Sequence, residues 1–86
     1  MNVHEVKTQI KHGNHAAAQA TAVMAQARDV AGRCHARATA LTRDSRHDQV
    51  HSGVRKVSEA AKEAGRVIDK LGSGIDAATT YLQVIG

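Results

Sequence analysis

Apolar residues in the second half of the chain recur at alternating steps of four and three residues. This spacing places them along one line of an α-helix, the seam through which a helix packs lengthwise against another helix. The pattern therefore predicts a helix over about residues 48–85. Its seam consists of Val50, Val54, Val57, Ala61, Ala64, Ile68, Leu71, Ile75, Ala78, Leu82 and Ile85.

The first half of the chain carries a second seam with the same spacing, sustained over about five heptads. It predicts a helix over about residues 2–42, which would be roughly 60 Å long at 1.5 Å per residue. Gly13 lies on this seam, where the missing side chain would let another backbone approach closely. The complete seam is Val3, Val6, Ile10, Gly13, Ala17, Ala20, Met24, Ala27, Ala31, Cys34, Ala38 and Leu41.

Between the two seams, residues 43–47 contain no apolar side chain and predict a turn. Continuing the first seam beyond Leu41 reaches only polar residues, so the two seams do not belong to one unbroken helix. Ser45, followed three residues later by Asp48, predicts a capping box at the start of the second helix. The expected fold is an all-α, coiled-coil-like, antiparallel two-helix hairpin in a single domain over residues 1–86.

Folding the chain back about this turn brings most large seam residues opposite small ones, for example Leu71 opposite Ala20, although Met24 falls opposite Ile68. At the centre, Ala31 falls opposite Ala61 and Ala27 opposite Ala64, so the helix axes are expected to approach to about 8 Å there. The weakest part of the second helix is the Gly-Ser-Gly segment at residues 72–74. The seam keeps its phase across this segment, which favours a continuous helix, and a helix break there is the alternative.

A further set of small and apolar residues, seven apart, runs beside the seams and forms what we call the apolar flank. It contains Ala16, Val23, Val30, Gly53, Ala60, Val67, Gly74 and Tyr81. The other side of the hairpin, the polar flank, contains Lys7, Asn14, Thr21, Arg28, His35, His51, Ser58, Gly65, Gly72 and Thr79. A lone hairpin would leave the apolar flank in water, which predicts that it meets a partner.

The simplest partner is a second copy related by a twofold axis, which would make a four-helix bundle. The residues predicted to form that interface are Ala16, Val23, Val30, Ala60, Val67 and Tyr81. The alternative interpretation is that small residues there only raise helix propensity.

Composition agrees with a small helical protein. The chain has 86 residues, is rich in Ala, and contains no Pro, Trp or Phe. A core of this size contributes only about 3 to 5 kcal/mol, so a partner is expected to stabilise the fold. No apolar run approaches the ~20 residues needed to span a bilayer, which predicts no membrane insertion. The polar first residues predict no signal peptide, and the expected location is the cytoplasm, with export without a cleavable signal peptide as the alternative.

The net charge of +4 is concentrated in residues 33–56, which carry six basic and two acidic residues, while the remainder carries six of each. The basic residues form a set that we call the basic tip: Arg33, Arg37, Arg43, Arg46, Arg55 and Lys56. Such a tip could neutralise several phosphates of a nucleic acid. No aromatic residue accompanies it for base stacking, and a solvated charged turn is the alternative interpretation.

The remaining candidate chemistry is sparse. Cys34 cannot form an intrachain disulfide, because it is the only cysteine. Its seam position predicts burial, and an intermolecular disulfide is the alternative. His47 and His51 share a helical face and are weak candidates for a metal site, with no obvious third ligand. No nucleophile lies beside a base in a predicted pocket, and no glycine-rich phosphate loop occurs. The sequence therefore predicts a protein that is not an enzyme and that has no cofactor.

In length and pattern the whole chain resembles the small Trp-X-Gly helical hairpins of type VII secretion. The turn at residues 43–47 contains neither Trp nor Gly, and Tyr81 is followed after three residues by Ile85 rather than by an acidic residue. The resemblance implies a secretion substrate or a helical targeting partner.

The functional hypothesis is a non-enzymatic protein–protein interaction module. It would pair with itself or with a larger helical protein. A small basic protein that binds nucleic acid through the basic tip is the alternative hypothesis.

Overall fold

The structure, a computed structural model, describes residues 2–86 as two long α-helices joined by a short turn. Helix α1 is Val3–Thr42 and helix α2 is Asp48–Val84. They lie side by side in a rod of 63 × 17 × 14 Å. The predicted all-α hairpin is confirmed, and the residues described contain no strand. Met1, the first residue of the predicted domain, lies outside the described residues.

Two hydrogen bonds across the helix pair show that the arms run antiparallel. The side-chain amide of Asn14 donates to the hydroxyl of Thr79 (Nδ2 to Oγ1, 3.3 Å), near the open end of the hairpin. Nδ1 of His35 donates to the carbonyl oxygen of Val54 at 3.3 Å, near the turn. Both contacts lie within three residues of the pairing predicted from the seams.

The start of α1 is capped by its own sequence. Asn2 has an extended backbone, and its side-chain oxygen accepts a hydrogen bond from the backbone N–H of Glu5 at 2.8 Å. This bond satisfies one of the four N–H groups that have no partner inside the helix. Glu5 also places a negative charge in the first turn, where the helix dipole favours it.

The capping box predicted at Ser45 and Asp48 is wrong. The residue before α2 is His47, whose side chain makes no capping hydrogen bond. Since α2 begins at Asp48, Ser45 lies too far ahead to reach a first-turn amide, and its hydroxyl accepts from the N–H of His47 instead, at 3.2 Å. Ser45 also donates its own N–H to Thr42 and accepts at its carbonyl from Nε2 of His51. Ser45 therefore closes the turn rather than capping the helix.

Helix α2 is continuous through residues 72–74, as its unbroken seam predicted. Ten of the eleven predicted seam positions lie in α2, and the last, Ile85, follows directly after it. All eleven lie toward α1, and ten of them are half-buried. Among the residues described, only Ala64, at 7% exposure, is buried. The contact between the helices is therefore a thin line of partly covered side chains, and the hairpin encloses no real core.

The predicted seam of α1 is only half correct. The seam positions that are half-buried, as predicted, include Ile10, Ala17, Met24, Ala31 and Ala38. Most of the alternate seam positions point to solvent instead, and we call these the outer row: Gly13, Ala20, Ala27, Cys34 and Leu41. Cys34 is exposed rather than buried. Leu41 is 86% exposed.

Polar-flank residues occupy the inward places that the outer row was predicted to fill. Asn14, Thr21 and His35 are half-buried between the helices. Turning the outer row outward exposes little apolar surface, because its members are small apart from Leu41. The inward polar residues gain the cross-helix hydrogen bonds to Thr79 and Val54. The close backbone approach predicted at Gly13 is also wrong, since a Cβ there would meet no atom within 4 Å.

Candidate partner-binding face

All six residues predicted to bind a partner are exposed. The four large side chains among them are exposed by 64% at Val23, 46% at Val30, 40% at Val67 and 50% at Tyr81. Scattered apolar residues are ordinary on a protein surface, whereas these are spaced by seven residues on α1 and by fourteen on α2. Their exposure is what the partner hypothesis requires.

An open groove of about 560 Å³ brings part of this set together at mid-length. Val23 and Val30 from α1 form one wall, and Ala60 from α2 forms part of the other. Val67 is exposed outside the groove, on the same heptad row of α2 as Ala60, and Ala16 and Tyr81 are exposed nearer the open end of the hairpin. The full lining is Val23, Gln26, Ala27, Val30, Ala31, Cys34, Val57 and Ala60.

The groove includes residues that the sequence interpretation had assigned to the contact between the helices. Ala27 and Cys34 belong to the outer row and lie beside Val23 and Val30. The exposed apolar surface of α1 is therefore wider than the apolar flank alone. The sequence signal for this wider surface is that a polar residue, such as Asn14 or Thr21, directly follows an outer-row residue. These polar residues compete with the outer row for the positions that face α2.

On α1, the outer row, the apolar flank and Arg37 of the basic tip together form a second seam. Read in order, its positions again alternate in steps of three and four: Gly13, Ala16, Ala20, Val23, Ala27, Val30, Cys34, Arg37 and Leu41. At about 100° per residue, this seam lies roughly a quarter turn from the one that contacts α2. Two seams at that angle are what a helix presents to its two neighbours in a four-helix bundle.

The basic tip is exposed at all six positions. Within residues 2–86, the one ion pair joins Nε of Arg28 to the carboxylate of Asp29 at 3.9 Å, away from the tip. Arg33 and Arg37 are four residues apart and share a face, but Arg55 and Lys56 are adjacent and point in different directions. The positive charge therefore surrounds the turn end instead of lining one surface.

The two histidines considered as metal ligands lie at the turn. His51 uses its Nε2 to donate to the Ser45 carbonyl, and His47 is exposed. Across the described part of the chain, no three His, Cys, Asp or Glu side chains are grouped so that they could hold one metal ion.

Comparison of the chain with protein-family models, with curated proteins and with solved structures gave no match. Between residues 2 and 86, neither helix includes an apolar stretch long enough to cross a lipid bilayer.

Proposed function

We propose that this chain is a non-enzymatic interaction module that binds a helical protein surface, its own copy or a larger helical protein, through the apolar flank and the outer row. The observation that carries the proposal is the exposure of Val23 and Val30 beside an open apolar groove. A groove between two helices, lined by small and branched residues, fits a third helix laid along it. Association with type VII secretion stays a prediction.

The accessible surface supports the same role. The chain exposes 6541 Å², whereas a compact monomer of its mass would expose about 4,900 Å². The difference of about 1,600 Å² is roughly twice what a standard interface covers on one partner. Because Ala64 is the single buried residue among those described, we expect the hairpin alone to have a small free energy of unfolding, which binding of a partner would raise.

Photo-crosslinking from the face tests this proposal in cells that encode the chain. With p-benzoylphenylalanine in place of Val30, we expect one or two discrete adducts whose crosslinked peptides, identified by mass spectrometry, come from helices. The same probe in place of Ala18, which is exposed on the far side of α1, should give none. Equal crosslinking from both positions, or none from either, would contradict the proposal.

Nucleic-acid binding by the basic tip is the second candidate function. It is favoured by one observation, that no carboxylate pairs with a tip residue in the described part of the chain. Binding to duplex DNA that persists at moderate salt and is lost in the Arg43→Glu and Arg46→Glu double variant would support it. Binding that is unchanged in this variant, or absent at moderate salt, would exclude the tip as a nucleic-acid site.

A further inference from the structure

We propose that the partner on this face is a second copy of the chain, placed antiparallel by a twofold axis that passes beside Ala27 of α1 and Ala64 of α2. This inference rests on the proposed function and names its partner. Four observations support it. They are the order of residues along the second seam of α1, the order of residues along α2, the equal height of Ala27 and Ala64 in the hairpin, and the different charges of its two ends.

The second seam of α1 is complementary to itself when one copy is reversed about Ala27. Val23 of one copy then faces Val30 of the other, and Ala20 faces Cys34. Leu41, the most exposed of the large apolar side chains, faces Gly13, whose missing side chain leaves open space. The reversed copies thus set the largest side chain against a glycine, two small residues against each other and one valine against another, which allows the two helices to pack closely.

Helix α2 is complementary to itself about a point beside Ala64. Reversing one copy there places Ala60 opposite Val67. On the edge of the same contact, Glu63 falls opposite Arg66, and Glu59 falls opposite Lys70. These pairs have opposite charges, which favours this alignment over alignments that set like charges side by side.

The two symmetry centres lie at the same height in the hairpin. The contacts of Asn14 with Thr79 and of His35 with Val54 fix the register of the two arms. That register places Ala27 level with Ala64. One twofold axis therefore satisfies both helices at once. The sequences of both helices and the register of the hairpin agree on this axis. Such agreement is expected if the partner is a second copy, whereas binding to an unrelated protein would not require it.

Charge at the ends of the rod separates this arrangement from a parallel one. Residues 33–56 at the turn end carry the whole net charge of +4, whereas Glu5 and Asp76 balance Lys7 and Lys11 at the open end. Copies lying in the same direction would bring two +4 ends together. The antiparallel pair places each charged end beside a neutral one, with the two tips at opposite ends of a rod 63 Å long.

A single introduced thiol tests the alignment in the purified chain. In Ala20→Cys, the new thiol faces Cys34 of the second copy, within the 4.4 to 6.8 Å Cα separation that a disulfide allows. The two thiols of one chain are about 21 Å apart along the helix and cannot pair. We expect roughly tenfold more covalent dimer under mild oxidation than in Ala18→Cys, where the thiol points away.

The native chain is the second control, because the Cys34 thiols of the two copies would also be about 21 Å apart. It should sediment as a non-covalent dimer and form little disulfide. Efficient disulfide formation in the native chain, equal crosslinking of Ala18→Cys and Ala20→Cys, or sedimentation as a monomer at all concentrations would each overturn the inference.

The double variant Val23→Asp and Val67→Asp gives an independent measurement. It should sediment as a monomer with lower helicity, because four charges would enter the contact of the two copies. The matched control is Ala18→Asp with Ala36→Asp, two exposed positions on the far side of α1, which should leave the dimer intact. A dimer of unchanged stability in the first variant would show that the contact lies elsewhere.

The two proposals fail in different ways. If the Val30 probe crosslinks another protein while Ala20→Cys does not crosslink, the second copy is wrong and the interaction module stands. If neither position crosslinks anything, both proposals are wrong.

Discussion

The two helices have similar lengths and similar apolar spacing, but they use their apolar residues differently. In α2, every predicted seam position lies at the contact with α1. In α1, only alternate seam positions do so, and the outer row faces solvent. The difference arises because α1 has apolar residues on a wide arc, and a single neighbouring helix can cover only one edge of that arc.

The two helices therefore have different tasks in the hairpin. Helix α2 supplies one continuous apolar line that holds the arms together, with Ala64 at its centre. Helix α1 contributes a mixed line to that contact, including Asn14 and His35, and keeps a second apolar line free. Stability should therefore be most sensitive at α2 seam positions and least sensitive at the outer row, in a chain that is not associated.

The largest effect is expected at Ala64, the single buried position among those described. Ala64→Asp would place an unpaired carboxylate between the helices and should cost about 3 kcal/mol or more. That loss is comparable to the whole stability expected of such a small core. The helical circular dichroism signal at 25 °C should largely disappear.

The control for Ala64→Asp is Ala77→Asp, on the exposed side of the same helix. It should cost only the difference in helix propensity, about 0.6 kcal/mol. Equal losses in the two variants would mean that Ala64 is not the centre of the contact.

The next largest effect compares two leucines that the sequence pattern assigned to equivalent positions. Leu71 is half-buried in α2, whereas Leu41 is 86% exposed in α1. At a concentration where the chain sediments as a monomer, Leu71→Ala should lower the free energy of unfolding by about 1 to 2 kcal/mol. Leu41→Ala should change it by less than about 0.5 kcal/mol. Denaturant titration measures both changes in the free energy of unfolding. Similar losses in the two variants would mean that Leu41 faces α2, as the seam predicted from the sequence requires.

The sequence was sufficient for the fold and for the seam of α2, because that helix has one apolar line with polar residues on either side. It was not sufficient for the rotation of α1. In α1, the outer row and the inner positions, such as Ile10 and Met24, fit the apolar spacing equally well. The polar partners that α2 offers decide which set faces inward. The hydrogen bond from Asn14 to Thr79 can be predicted only when the register of the two helices is known.

The candidate face was predicted only in part for the same reason. The exposed valines of the apolar flank were identified by their heptad spacing. Ala27 and Cys34 were missed, because the wrong rotation of α1 had placed them inside. The role of Ser45 was also missed, since a hydroxyl near a helix start has several possible amide partners and the turn geometry selects among them.

A smaller effect would sharpen the contrast within α1. Thr21 occupies a half-buried place facing α2, and its hydroxyl donates only within its own helix, to Ala17 at 2.9 Å. Thr21→Leu therefore breaks no cross-helix bond and should stabilise the hairpin by about 1 kcal/mol through added apolar burial and helix propensity.

The matched variant is Thr39→Leu, at an exposed position of the same helix. It should gain only helix propensity, about 0.5 kcal/mol. The comparison is made by thermal unfolding of the monomer. An equal gain in the two variants would indicate that Thr21 does not face α2.

The smallest expected effect compares one glycine in each helix. A methyl group added at Gly32 of α1 or at Gly72 of α2 would meet no atom within 4 Å. Each Gly→Ala change should therefore stabilise the chain by about 0.5 to 1 kcal/mol, since alanine loses less backbone entropy in a helix interior. For a domain of this size, that gain raises Tm by about 2 to 8 °C.

The two glycines differ in position, which makes the pair informative. Gly32 is exposed, whereas Gly72 is half-buried on the side of α2 that faces α1. Because they lie far apart, the two gains should add in the double variant. If Gly32→Ala raised the stability and Gly72→Ala lowered it, the added methyl group at residue 72 would be meeting α1. The helices would then approach each other more closely near Gly72 than its open surroundings indicate.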